Sequence, residues 1–494
     1  MTGRPWPPAA WMAAAVLFVL LATANAGGYR YGASDQAVYV PVVMRALDPS
    51  AFPRDAALLD AQGRFMVIDE IIATIVRATG LSLEIVFVGG YLLSMGIAWM
   101  ALQLVGARVF GTPWGTVALA AAFTLRHRIP RTSANSFEPY FYPRMLAFAI
   151  GLLAIAAILH RRTAVAGALV AATAIVHVTV GLFFGILTGV AAAVLDARLR
   201  RPLVLAVPAA AIAGAWAVTA GPLADSFRRM DEPWLAAVAS KDSLFPSDWP
   251  LWAWAANLGL PALLWWAHRR RTARGEARDE DRALVWGGLA LAGLFLATLP
   301  LVTARWALPT GLQISRVFWL LDALALVYVL AVLAPRTAPR RARVLACVLL
   351  AVSVARGAFV MLVEFPDRPL FRVRLADTAW HDAMRWLSTQ PSDVHVLADP
   401  GHAWRYGTSV RVAAARDVFL EETKDSALAI YSRDVALRVN ERLQAIADFD
   451  GLTAARAREL AAQYDLDYLV AERPLSLPVA HRNSRFVVYH LGRP

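Results

Sequence analysis

Cysteine is all but missing from these 494 residues: one, Cys347, lies inside an apolar run. An intrachain disulfide and a cysteine-based metal site are both excluded. Lysine is nearly as scarce, at positions 241 and 424 only, so the basic charge is almost entirely arginine. Charged residues make up 17% of the chain against 58% hydrophobic ones, too little charge for a soluble chain of this length. No internal repeat and no low-complexity linker is visible. What is present instead is apolar length. A hydrocarbon core of roughly 30 Å asks for about 20 helical residues per crossing, and many uncharged stretches meet or approach that. The chain reads as a polytopic α-helical membrane protein.

About eleven crossings are expected, at 9–26, 83–105, 112–125, 144–159, 163–178, 180–195, 203–220, 250–267, 283–301, 317–334 and 343–362. The formal net charge of +12 is a topology signal first, because the arginines cluster between apolar segments, and no nucleic-acid partner is expected. With a cytoplasmic N-terminus, the tracts HRR (160–162), RLRR (198–201), HRRRTARGEARDEDR (268–282) and PRTAPRRAR (335–343) all fall inside. One tract, RHRIPR at 126–131, falls outside against the positive-inside rule. Arg4, the apolar run after it and ANA at 24–26 also fit a cleavable secretory signal, which leaves the outer placement of Asp35 unchanged.

An odd number of crossings puts the region after Phe365 outside. There DAMRWLSTQPSD reads as a helix, DVHVLAD and SVRVAAARD as strands, SRDVALRVNERLQAIADFD and LTAARARELAAQYD as helices, and DYLVAE and RFVVYHL as strands. Residues 1–362 thus form a transmembrane module and 363–494 a small α/β outer domain.

The outer loops collect distinctive residues. In the first, GASDQAVYVPVV carries Asp35, Gln36 and Tyr39, and two amphipathic segments, VYVPVVMRAL and FMVIDEIIATIVRATG, look fit to lie along the interface. The second holds Arg126, Arg128, Arg131, Glu138 and Arg144; a tight turn follows His177; the last supplies Arg305, Gln313 and Arg316. Each has a plainer reading. A lone outer arginine faces water or headgroups, His177 caps a helix, and Asp69 and Glu70 form the wet face of an interfacial helix. Asp322, inside a span, needs a partner, for which an outer arginine is expected. Together they say more. Arginine's planar fork suits phosphate, and a carboxylate among arginines stays ionised, able to act as a base or hold a divalent metal. A phosphate site beside a carboxylate at an outer membrane surface suggests transfer from a phosphate-linked lipid.

In the order of these features the chain resembles the GT-C superfamily of polyprenyl-phosphate-sugar glycosyltransferases. These have one helix to the outside, a long first loop with an early Asp, an acidic second loop, many further spans and an outer C-terminal domain. SDQAVYVPVVMRALDPSAFPRD is similar to a bacterial branch whose first loop carries an acid, a Pro in a helix and a DP...FP..D turn. The resemblance implies that Asp35 is the base for the acceptor hydroxyl, that Glu138 is the second-loop acid, and that Arg316 of LQISR (312–316) contacts the lipid phosphate. Arg126, Arg128, Arg131, Arg144, Arg305, Gln313 and His177 would help bind substrate, with Gln36 and Tyr39 beside Asp35. The second loop has one Glu rather than a closely spaced pair of acids, so a divalent metal stays an open alternative and no other cofactor is implied.

The expected function is sugar transfer from a polyprenyl-phosphate donor to a glycan, lipid or protein acceptor, at the outer face of a bacterial inner membrane. A transporter or flippase for a lipid-linked or anionic solute is a second reading, although it would call for repeats and midplane polar groups. An inactive envelope scaffold is a third, with DPGHAWRYGTSVR (His402, Trp404, Arg405, Arg411) either touching a glycan or closing a corner.

Overall fold

The computed structural model describes residues 7–63, 67–221 and 223–492. Arg4 of the signal reading and Phe65 and Met66 of the second amphipathic segment lie outside the described residues. Two compact units emerge. Unit one takes the chain up to Tyr29, Gly89–Arg229 and Asp242–Phe371; unit two takes Arg30–Val88, Met230–Lys241 and the chain from Arg372 on. The last passage into unit two lies close to the expected boundary at 362/363, and unit two also gathers most of the first loop.

Unit one is helical. Each of the eleven expected spans falls on a helix, and seven helices are long and apolar enough to cross a membrane: Pro8–Asn25, Leu83–Val109, Val178–Leu195, Ala197–Thr219, Asp279–Thr303, Ala307–Leu333 and Pro339–Glu364. Pro143–Leu159 and Thr163–Val176 are apolar but shorter. Length and composition therefore establish a multi-pass protein but not eleven crossings. Small residues let these helices approach: a Cβ on Gly287 would collide with the Leu187 carbonyl, which fixes glycine where Asp279–Thr303 meets Val178–Leu195.

At one end of this bundle the basic tracts meet. Glu280 pairs with Arg108 at 3.0 Å and with Arg161 of HRR, while buried Arg271 pairs with buried Asp281 at 3.0 Å. Arg336 donates to the Val109 carbonyl, so three of the four tracts expected inside are tied together by their own acids and helix ends. Buried charges persist only when paired in this way.

Unit two carries a five-stranded sheet built from β1 (His395–Leu397), β2 (Asp417–Val418), β3 (Tyr468–Ala471), β4 (Val479–Arg482) and β5 (Val487–His490). The order is β2-β1-β3-β5-β4, with β2, β1 and β3 parallel and β5 antiparallel to β3 and β4. Helix Ala379–Ser388 starts where the Thr378 hydroxyl accepts from the His381 N–H, and it buries Trp380, Ala383, Met384 and Leu387 against Val396, Val470 and Val488.

Four expectations change. SVRVAAARD is not one strand: the Ser409 hydroxyl accepts from the Arg411 N–H and starts the short helix Val410–Ala413, and pairing begins only at Asp417. VYVPVVMRAL is helical over Gln36–Leu47, yet it buries Val38, Val40, Pro41, Val42 and Val43 rather than lying with one face open. In Ile68–Thr79, Glu70 is exposed as expected, but Asp69 is buried, and Ile71 and Ile75 are exposed as well. Asp322 finds a partner in the second loop, but it is His127 at 2.9 Å, not an arginine.

Candidate functional site

In unit one the second loop is a hairpin pairing Arg128–Ile129 with Ala134–Asn135. It turns back because Arg131 and Ser133 take positive φ, and the return brings Glu138 under Arg126. Glu138 is 5% exposed and accepts from Arg126 at 2.8 Å and Asn135 at 2.5 Å. Both its oxygens are thus engaged, which is the habit of an acid that orients its neighbours. Arg131 reaches Asp242 at 2.6 Å and Arg305 reaches Asp248 at 3.2 Å, both half-exposed pairs contributing little stability. Arg305 also stacks over Phe245 at 3.9 Å, and Arg128 faces outward.

Three of the expected binding residues converge. His177 caps helix Val178–Leu195, its Nδ1 accepting from the Val180 N–H at 3.4 Å. Arg144 lies buried in the first turn of Pro143–Leu159, and Arg316 stands at the start of Val317–Leu333. The charges of Arg144 and then Arg316 both reach His177. Two guanidinium groups and three helix starts thus share one electrostatic neighbourhood, an arrangement that favours an anion. The loop leading to Arg316 is strained: Arg305 and Gln313 both adopt left-handed backbone, and Gln313 is buried.

In unit two Asp35 stands at the start of Gln36–Leu47 with its side chain 30% exposed, and Lys424 donates to it at 2.6 Å. The Gln36 amide oxygen accepts from the Gly32 N–H at 2.6 Å, so this side chain ties the GASD turn. Tyr39 is one helical turn beyond Asp35 and only partly covered. Lys241 donates to the Thr423 carbonyl at 2.7 Å. Burial pulls Lys241 down and Lys424 pulls it further, while Glu421 and Asp35 act in the opposite sense. Both lysines of the chain thus meet in the surroundings of Asp35. Burial and Asp425 raise Glu421 to about 7, and its Oε2 is buried without a hydrogen-bond partner.

The sequence reading did not connect Lys241, Lys424 and Glu421 with Asp35. The usable signal was composition: in a chain that otherwise employs arginine, the two lysines mark places where a compact charge on a flexible stem is needed. Among the described residues no three His, Cys, Asp or Glu side chains are grouped to hold a metal ion.

No protein-family model matches the chain, and no curated protein matches it by sequence. Two solved structures similar to it are of the archaeal oligosaccharyltransferase AglB from Archaeoglobus fulgidus. One, in complex with an inhibitory peptide and a dolichol-phosphate, is 13% identical with a TM-score of 0.48. The other, in the apo form, is 12% identical with a TM-score of 0.41. Each similarity covers 94% of this chain and 69% of the other.

Proposed function

We propose that the chain is a GT-C-like membrane glycosyltransferase that takes a sugar from a polyprenyl-phosphate donor at the outer face of a bacterial inner membrane. Its N-terminus would be cytoplasmic, with eleven crossings and residues 363–494 outside. The observation that carries this reading is that Arg144, His177 and Arg316 each stand at a helix N-terminus and that both arginine charges reach His177. Such a site stabilises the phosphate that departs from the sugar, because its dipoles and charges are oriented before the reaction begins. Gln313, Arg305, Arg126, Arg128 and Arg131 would hold the headgroup region, and Glu138 would fix Arg126. Asp35 would accept the proton of the acceptor hydroxyl as its oxygen attacks the anomeric carbon, giving inversion; the partners are then the lipid donor and a glycan, lipid or protein acceptor.

The lysine beside Asp35 fits this role. An ammonium pairs with the carboxylate at 2.6 Å in the resting protein, and an acceptor hydroxyl that displaces it meets a base. The test uses membranes carrying the full chain and radiolabelled polyprenyl-phosphate sugars. Label should move from the lipid to an acceptor with the wild-type chain and stay on the lipid with Asp35→Asn. Equal transfer by the two proteins contradicts the assignment of Asp35.

A further inference from the structure

Trp404 is 85% exposed, although the loop that carries it is built rigidly. After β1 the chain turns at Asp399, whose Oδ1 accepts from the Gly401 N–H at 2.7 Å. His402 is fully buried, with Nδ1 2.7 Å from the Asp399 carbonyl, Nε2 accepting from the Val410 N–H and its ring 5.6 Å from Trp380. Asp399 and His402 thus tie the corner, with backbone bonds from Trp404 and Arg405 to Gly401. The Trp404 side chain stands outside it and lines an open cleft of about 640 Å³, together with Arg405, Asp450 and Glu422. Asp399, Arg405, Phe449 and Asp450 are shared with a second cavity of about 400 Å³, which extends to Tyr406, Glu472 and Arg485.

The cleft lies where ligands usually bind on such a sheet. Asp399 follows β1 and Glu422 follows β2, and both line the cleft, while Glu472 follows β3 and lines the adjoining cavity, so the loops at the carboxyl ends of all three parallel strands border the pair. Its charges are paired along the wall. Arg405 bridges to Asp399 and lies 3.7 Å from Asp450; Arg485 pairs with Glu472 at 3.1 Å, and the Tyr406 hydroxyl donates to Glu472 at 2.5 Å.

This balance selects among ligands. In a chain of net charge +12 the cleft sets carboxylates against its arginines, so a polyanion gains nothing there. A membrane or a protein partner would need a broad apolar face. Among the described residues from Arg372 on, the only other exposed large apolar side chain is Val479, at 50%. What remains is a ligand with one apolar face and a rim of hydroxyl groups, each able to donate to a carboxylate and accept from a guanidinium.

We propose that this cleft is a binding site for a neutral oligosaccharide, with Trp404 as the stacking platform and Asp399, Arg405 and Asp450 as the hydroxyl-binding set. The inference is independent of whether the chain transfers sugar. It is tested with the full-length protein in nanodiscs by saturation-transfer NMR, using neutral hexasaccharides of glucose, mannose, galactose and arabinose and a heparin hexasaccharide as the anionic probe. At least one neutral hexasaccharide should bind. Trp404→Ala should weaken it roughly ten-fold or more, Trp404→Phe should retain most of the affinity, and Asp35→Asn should bind as the wild type does. Thermal unfolding of Trp404→Ala should match the wild type, since the side chain is outside the core. The proposal is overturned if no neutral probe binds, if Trp404→Ala binds equally well, if heparin is preferred, or if Asp35→Asn loses binding.

Discussion

Two aspartates of one loop, Asp35 and Asp55, share a chain segment and a compact unit but not a situation. Asp55 is wholly buried. It accepts from Arg411 at 2.7 Å, from Arg438 and from the Val418 N–H at 3.2 Å, while Arg411 also grips Asp425 through two bonds of 2.6 and 3.0 Å. Burial alone would raise the Asp55 carboxyl, but Arg411 and Arg438 hold it well below the usual range. Three donors engage both its oxygens, so it staples the first loop to the sheet. Asp35 has a partly open side chain and a flexible ammonium within hydrogen-bonding distance. Burial with two guanidinium groups makes a structural acid, and partial exposure beside a lysine leaves an acid that substrate can reach.

The contrast breaks most visibly at Asp55. Removing one partner of a buried ion network leaves the others uncompensated, which costs about 3–5 kcal/mol. Asp55→Ala should therefore unfold unit two or open it to protease, whereas Asp35→Asn should leave its thermal unfolding within about 1 kcal/mol of the wild type. Limited proteolysis and thermal melts of the two variants compare them directly, and equal damage would remove the distinction.

Function should invert that ranking. Loss of a general base slows a reaction about 10²–10⁴-fold, so Asp35→Asn should lose transfer while remaining folded. Lys424 sharpens the point. Lys424→Arg keeps a cation on Asp35 but cannot yield its position as readily, and it should retain more transfer than Lys424→Ala, whose rate should fall about ten-fold. If the alanine variant is as active as the wild type, the lysine is a bystander.

A last effect is pH-dependent. Glu421 is raised from 4.5 to about 7, so the folded protein binds the proton more tightly than the unfolded chain. Its contribution is fully present below the unfolded value and is lost as pH rises through about 7, an effect of up to about 3 kcal/mol. Melting temperature should fall between pH 5 and pH 8, and Glu421→Gln should flatten that part of the profile. An unchanged slope in the variant would assign the dependence to other groups.

Much of this was legible before any coordinates. Apolar length located the helices of unit one, and tract charge put Arg161, Arg271 and Arg336 on one side, because both signals are local in sequence. Asp35 stood out because a polar residue directly after a long apolar helix has few structural excuses. The partners were not legible. Arg411 lies 356 residues beyond Asp55 and Lys424 lies 389 beyond Asp35, and no periodicity carries information over such a separation. Short strands failed for a related reason: in SVRVAAARD the alternation favours a strand, but a hydroxyl bond from Ser409 to the next turn wins locally. Asp69 was misread because its face had been assigned by polarity, when a packed helix can take a polar group inward.

The central claim is that the guanidinium groups of Arg144 and Arg316 form a lipid-phosphate site. A structure of the full chain with a polyprenyl phosphate bound tests it most directly. The phosphate should lie within hydrogen-bonding distance of both arginines and beside the His177 ring, with Arg316→Gln displacing it. A phosphate bound elsewhere on the outer face, with Arg144 and Arg316 untouched, would contradict the account.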